Sequence, residues 1–125
     1  MRMIGTLFSE CEVVIDDSAT GRHCTARLLP NIESEVLQAH FPGHPVVPGA
    51  TLLATVGELV GRMTEQQIII SNIKNIKFIS LIEPEEGQPL TIDVDLDMAL
   101  LKVKATVSYK GAISSKMTMT CTTAF

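Results

Sequence analysis

Two histidines, three prolines and two glycines fall within ten residues, HFPGHPVVPG, from His40 to Gly49, and an apolar stretch follows directly. An imidazole takes and returns protons near neutral pH, so His40 is a candidate general base. Prolines fix φ and hold such a side chain in place at little entropic cost. Free N–H groups at a helix start stabilise a developing negative charge, and Gly49 lets a ligand approach the backbone there. The segment therefore holds two candidate groups, an imidazole base and an anion-stabilising helix end, although a histidine in such a loop is by itself more often a structural residue.

One long helix is predicted after this loop, roughly from Ala50 to Glu65. Its polar residues form one narrow stripe: Thr51, Thr55, Glu58 and Arg62. Its small residues, which allow a sheet or a second copy of the helix to approach closely, are Ala50, Ala54, Gly57 and Gly61. A helix with so little polar surface must be enclosed.

Strands are predicted on both sides of the helix. Alternation or apolar runs mark 7–15, 23–29 and 68–78, the last of these as buried strands. Apolar and polar residues alternate again over 90–98 and 101–109, so acidic and basic outer faces would meet across an antiparallel pair. A final strand puts Ile113, Met117, Met119 and Cys121 on one side and Ser114, Lys116, Thr118 and Thr120 on the other. These elements predict an α+β fold in which a curved antiparallel sheet wraps around one central helix.

Composition limits the function classes. The chain has 125 residues, which fits one domain over 1–125, and its 46% hydrophobic content suggests that a partner covers some apolar surface. A net charge of −4 disfavours nucleic-acid binding. No stretch has the length and apolarity of a membrane span or a secretory signal. Three cysteines without CxxC spacing indicate neither a disulfide framework nor a zinc site, which favours a reducing cytoplasm.

The pattern H-F-P-G-x-P-x-x-P-G before an apolar helix resembles the signature of the β-hydroxyacyl-acyl-carrier-protein dehydratases, which adopt the hotdog fold and pair into dimers. Its fixed positions here are His40, Phe41, Pro42, Gly43, Pro45, Pro48 and Gly49. A weaker similarity extends through Lys77-Phe78 and the turn at 84–87 to the last strands.

The resemblance implies a lyase that dehydrates 3-hydroxyacyl thioesters in fatty acid or related acyl-chain synthesis, without cofactor or metal. Acyl carrier protein is the implied partner. In that scheme His40 is the base and the Gly49 amide binds the thioester carbonyl. The residues expected along the substrate are Phe41, Gly43, Pro48, Ala54 and Phe78.

One position departs from the family pattern. The dehydratases carry an acidic residue fourteen positions after the motif histidine, where it acts across the dimer interface, and this chain has Ala54 there. Glu58, one helical turn further, is the candidate replacement. The alternative is that Glu58 forms an intrahelical ion pair with Arg62.

Three function hypotheses follow, in order of preference. The first is a dehydratase that uses His40, with Glu58 or an ordered water in place of the missing acid. The second is a subunit of a heterodimer whose partner supplies the carboxylate. The third is an acyl-thioester-binding module or thioesterase, because the hotdog fold alone does not fix the reaction.

Overall fold

A computed structural model of the chain describes residues 2–40 and 45–124, with the backbone alone at 39 and 40. The described part contains six strands and two helices. In chain order they are β1 (Phe8–Asp17), β2 (Gly21–Pro30), α1 (Glu35–His40), α2 (Gly49–Thr64), β3 (Ile68–Phe78), β4 (Leu90–Asp97), β5 (Lys102–Tyr109) and β6 (Ala112–Thr123).

The strands form one antiparallel sheet in the order β1-β2-β4-β5-β6-β3. In the central β4–β5 pair, Asp95 lies opposite Lys104 and Asp97 opposite Lys102. The predicted meeting of acidic and basic outer faces is therefore confirmed. Strands β1 and β3 are the two edges, so each has one side without a strand partner among the described residues.

Helix α2 packs against β2, β3 and β4. It buries a stripe at helical spacing that includes Leu52, Val56, Leu59 and Met63. Its predicted bounds, Ala50 to Glu65, differ from the observed Gly49–Thr64 by one residue at each end. Glu65 ends the helix in a left-handed conformation, with its N–H donating to the Gly61 carbonyl. No helix in the described ranges combines the length and the apolar character that a membrane crossing needs.

Strand β3 differs from its prediction as a buried element. It is one continuous strand at the sheet edge, and Ile69, Ile73 and Phe78 are 55%, 44% and 56% exposed. Only Ile68, Ile70 and Ile76 are half-buried against the core. Ile73 and Phe78 lie opposite the buried residues Met119 and Ser115 of β6, so they share the core face and are exposed because β3 is at the edge of the sheet.

Strand β6 contains a bulge that corrects the predicted side-chain alternation. Val107 lies opposite Ser115 and the next residue, Ser108, lies opposite Ile113, so Ser114 is an extra residue on β6. As a result Ser114 and Ser115 are both buried, while Ile113 is 41% exposed. The prediction that Ile113 shares the inner face with Met117 is wrong for this reason.

All three cysteines are free thiols. Cys24 and Cys121 lie in the core, and burial raises the pKa of Cys24 to about 11. Cys11 is exposed on β1.

Candidate functional site

The start of α2 presents unpaired backbone amides. Pro48 is extended, with φ −66° and ψ 143°, and no side chain caps the helix. The first helical bonds run from the Thr51 and Leu52 N–H groups to the Pro48 carbonyl, at 3.1 and 3.4 Å. Within the described ranges the N–H groups of Gly49 and Ala50 therefore have no backbone acceptor. This is the positive end of the helix dipole, which favours a negatively charged or carbonyl oxygen.

A cavity of about 240 Å³ opens beside this helix start. Its lining residues are Val47, Gly49, Leu52, Phe78, Ser80, Leu81, Ile82, Ser114 and Ser115. Most of the wall is aliphatic or aromatic, and the polar groups lie in two places, the backbone of Gly49 at the helix start and the serines. An apolar ligand with a few polar atoms matches such a lining.

Gly49 packs closely against the ring of Phe78. A Cβ atom at position 49 would lie 2.5 Å from Cζ of Phe78, well inside van der Waals contact. The ring of Phe78 therefore covers the backbone of the first helical residue. The two residues, both proposed from sequence as site residues, line one cavity.

The remaining motif residues are placed only in part. His40 is the last residue of α1, and Pro48 immediately precedes α2. Phe41 and Gly43 lie outside the described residues. The general-base role of His40 stays a prediction, as do the substrate contacts of Phe41, Gly43 and Pro48.

Ala54 and Glu58 line a different space, a groove of about 830 Å³ between α2 and β3. Helix geometry puts Ala54 roughly 8 Å, and Glu58 roughly 13 Å, along the axis from Gly49. Neither residue reaches the cavity at the helix start within the same chain.

Glu58 binds the N-terminal segment. Its carboxylate accepts hydrogen bonds from the N–H of Met3, at 2.7 Å, and of Ile4, at 3.3 Å. Arg62 instead pairs with Glu10 of β1, with 2.6 Å between Nη1 and Oε1. The alternative of an intrahelical Glu58–Arg62 ion pair is wrong, because the N-terminal segment and β1 supply closer partners to both side chains.

Ser114 and Ser115 are site residues that sequence reasoning missed. They are 2% and 1% exposed, and neither hydroxyl has a hydrogen-bond partner in the described part of the chain. The sequence does contain a signal for these residues. Two adjacent serines interrupt a strand whose other inward-facing residues are methionine and cysteine.

A second polar cluster lies away from the cavity, across β2 and β4. His23 contacts Asp95 through Nδ1 at 2.7 Å and Thr25 through Nε2 at 3.2 Å. The hydrogen bond to Asp95, opposed in part by burial, raises the pKa of His23 above its usual 6.5. No group of three or more metal-ligating side chains with suitable geometry occurs among residues 2–38 and 45–124.

Residues 16–118 match the family model for ApeI-like proteins, described as ApeI dehydratase. Curated relatives include the 3-hydroxyacyl-[acyl-carrier-protein] dehydratase FabZ of Levilactobacillus brevis, 26% identical over 116 residues, which covers 83% of this chain and 77% of the relative. FabZ of Latilactobacillus sakei is 30% identical over 110 residues, covering 78% of this chain and 77% of the relative.

Solved structures show the same fold. An uncharacterized protein from Erwinia carotovora subsp. atroseptica aligns with a TM-score of 0.83 at 19% identity, covering 95% of this chain and 98% of that one. The dehydratase heterocomplex ApeI:P from Xenorhabdus doucetiae aligns with a TM-score of 0.76 at 17% identity, covering 91% and 96%. The predicted hotdog architecture, an antiparallel sheet around one long helix, is confirmed.

Proposed function

Because the chain belongs to the ApeI-like dehydratase family, we propose that it removes water from 3-hydroxyacyl thioesters carried by acyl carrier protein. The carrier and the substrate class rest on the FabZ relatives, whose names specify 3-hydroxyacyl groups on that carrier. The pathway is fatty acid synthesis or a related acyl-chain synthesis.

The observation that carries this proposal is the cavity at the start of α2. It joins an apolar wall, suited to an acyl chain, with the backbone amide of Gly49, which lacks an acceptor in the described part of the chain. In the sequence, the motif histidine lies nine residues before Gly49. Apolar binding and oxyanion stabilisation are the two requirements of chemistry next to a thioester carbonyl.

In the proposed reaction, the thioester carbonyl accepts a hydrogen bond from the Gly49 N–H. The His40 imidazole takes a proton from C2, and the electron pair of that C–H bond becomes the C2–C3 double bond. The C3–O bond breaks, and the departing hydroxide takes a proton from an acid to leave as water. Negative charge on the carbonyl oxygen is greatest when the C2 proton is removed, which is when the helix amides contribute most.

A homodimer is the arrangement we favour for this activity. Strand β3 leaves Ile69 and Ile73 partly exposed at the edge of the sheet, and such an edge is normally covered in a native protein. The groove beside it presents the small residues of α2, including Ala54 and Gly57. A second copy meeting this edge would bring its own α2 near the first copy's cavity, with Glu58 or a water as the acid.

The test is turnover of purified protein on 3-hydroxyacyl thioesters of several chain lengths, followed by hydration of the enoyl form. We expect activity in the wild type and its loss in His40→Ala, by roughly 10²- to 10⁴-fold as for other general bases. Arg27→Ala, an exposed change on β2, serves as the control. Equal activity of wild type and His40→Ala would contradict the proposed base.

Ala54 favours a second candidate, a heterodimer in which another hotdog chain supplies the missing carboxylate. The ApeI:P neighbour is itself a heterocomplex of dehydratase chains, which supports this arrangement by analogy of fold. In this case the purified wild type is inactive and Ala54→Glu gains activity, because Ala54 is exposed and leaves room for the carboxylate. Inactivity of both proteins, with retained binding of acyl carrier protein, would leave the binding-module or thioesterase function.

A further inference from the structure

We propose that Ser114 and Ser115 form a hydroxyl-recognition subsite, in which they hydrogen-bond the 3-hydroxyl group of an acyl substrate bound at the start of α2. This inference rests on the proposed dehydratase function and names two specificity-determining residues for it.

The bulge in β6 turns both serines toward the cavity. Consecutive residues of a regular strand point to opposite faces of the sheet, whereas Ser114 and Ser115 are both buried and both line the same space. The segment directly after β3 holds the bulge, because the Ser114 carbonyl accepts hydrogen bonds from the N–H groups of Ile79, at 2.8 Å, and Ser80, at 3.2 Å. The fold thus fixes two adjacent hydroxyls in one wall.

Nearly every buried polar group in a protein has a hydrogen-bond partner, whereas these two hydroxyls have none among the described residues. Neither Oγ atom is hydrogen-bonded by the described residues, although both side chains are at least 98% buried. Burial of an unpaired hydroxyl costs free energy, so a polar pair without partners in a mostly apolar wall indicates a ligand with a matching polar atom.

The uncharged lining of the cavity favours a neutral hydroxyl as the polar group of the ligand. No lysine, arginine, aspartate or glutamate is among the described residues of its lining, so a charged ligand group would lack a counter-charge. A hydroxyl both donates and accepts, as two serine hydroxyls do. In a 3-hydroxyacyl thioester the hydroxyl is only two carbons from the carbonyl, so a cavity of about 240 Å³ holds both groups.

The test compares two stable amide analogues of short acyl-pantetheine thioesters, 3-hydroxybutyryl and butyryl, by calorimetry. We expect the wild type to bind the hydroxylated analogue roughly tenfold more tightly, the ratio that one net hydrogen bond supplies. Ser114→Ala, Ser115→Ala or their combination should remove this preference and leave the butyryl affinity unchanged. Ser108→Ala, a half-buried serine of β5 outside the cavity lining, should keep the preference.

An unchanged preference in the double variant would overturn the subsite, as would a wild type that binds both analogues equally. Because the measurement is binding, it separates the two proposals. If the protein shows no turnover but the serine variants lose the preference for the hydroxylated analogue, the subsite is supported and the dehydratase function is refuted. If the protein shows turnover but no preference for the hydroxylated analogue, the dehydratase function is supported and the subsite is refuted. Circular dichroism and thermal midpoints should show that the serine variants fold at least as stably as the wild type, since they remove unpaired hydroxyls.

Discussion

Gly49 illustrates, at the residue scale, how one missing side chain shapes the cavity. The aromatic ring of Phe78 occupies the space that a Cβ atom would need, at 2.5 Å. Gly49 also lines the cavity, so its backbone borders the space that a ligand would occupy. Packing and chemistry therefore impose the same residue at this position.

We predict that Gly49→Ala destabilises the protein by roughly 1–3 kcal/mol, the usual cost of overpacking, and abolishes binding of acyl thioesters. Phe78→Leu in the same chain should recover most of the stability, because the clash is with the ring alone. Urea denaturation measures the first effect and calorimetry the second. Full stability and binding in Gly49→Ala would contradict the observed packing.

The sequence predicted the residues at the helix start better than it predicted their surroundings. Gly49 was identified from the motif and Phe78 from the family resemblance, and both line the cavity. Ser114 and Ser115 were not, because a bulge reverses the alternation that sequence reasoning assumes. Glu58 was given the wrong structural partner, since its contact with Met3 and Ile4 spans more than fifty residues and leaves no local pattern.

At the scale of elements, Glu58 connects α2 to the segment before β1. The carboxylate accepts two backbone N–H groups, and Met3, Ile4 and Leu7 are buried nearby in the core cluster. A charged acceptor makes these hydrogen bonds stronger than neutral ones.

We predict that Glu58→Ala lowers the free energy of unfolding by roughly 1–3 kcal/mol, because two backbone donors lose their acceptor. Arg62→Ala, one turn along α2, is the matched control. It removes only an exposed pair with Glu10 and should cost roughly 0.2–1 kcal/mol. Urea denaturation of both variants decides the matter, and equal losses would argue against a specific role for Glu58 in holding the N-terminal segment.

The pairing of β2 with β4 should depend on pH through His23. Its pKa is raised in the folded state by the hydrogen bond to Asp95, so protonated His23 favours folding. The stabilisation is fully present below the unfolded pKa of about 6.5 and is lost as pH rises through the higher folded value. We expect a small drop in the urea midpoint from pH 6 to pH 8. In His23→Gln the drop in the urea midpoint between pH 6 and pH 8 should disappear. The same drop in His23→Gln as in the wild type would contradict the role of His23.

Elements with a strong local pattern were predicted well. The long helix and the strands of the C-terminal meander were found because their periodicity extends over many residues. Helix α1 was missed because six residues carry little periodicity. The exposure of β3 could not be read from its apolar run, because edge position depends on the order of strands in the sheet and not on the strand itself.

At the scale of the whole molecule, the two sheet edges have similar exposed aliphatic residues. Ile73 on β3 is 44% exposed and Val14 on β1 is 40% exposed. Only the β3 edge adjoins the groove along α2 and the cavity residue Phe78. The proposed dimer uses that edge.

We predict that Ile73→Lys weakens the dimer at least tenfold, because it places a charge in an apolar interface, while Val14→Lys leaves it intact. Sedimentation velocity at micromolar concentration gives the association state of each. A monomeric wild type would exclude the proposed dimer. Equal dissociation by Ile73→Lys and Val14→Lys would place the interface elsewhere.

The strand order also determines when the cavity can form during folding. Strands β4, β5 and β6 are successive neighbours in sequence and in the sheet, so they can pair by short-range hairpin closure. Strand β3 must wait, because Ile68 pairs with Thr123, 55 residues later. The cavity takes its walls from residues around 49, 80 and 115, and so it closes only with this slow, long-range step. During synthesis, the apolar face of α2 therefore stays partly uncovered until β6 has left the ribosome. In that interval the exposed apolar surface is most prone to aggregation and most dependent on chaperones.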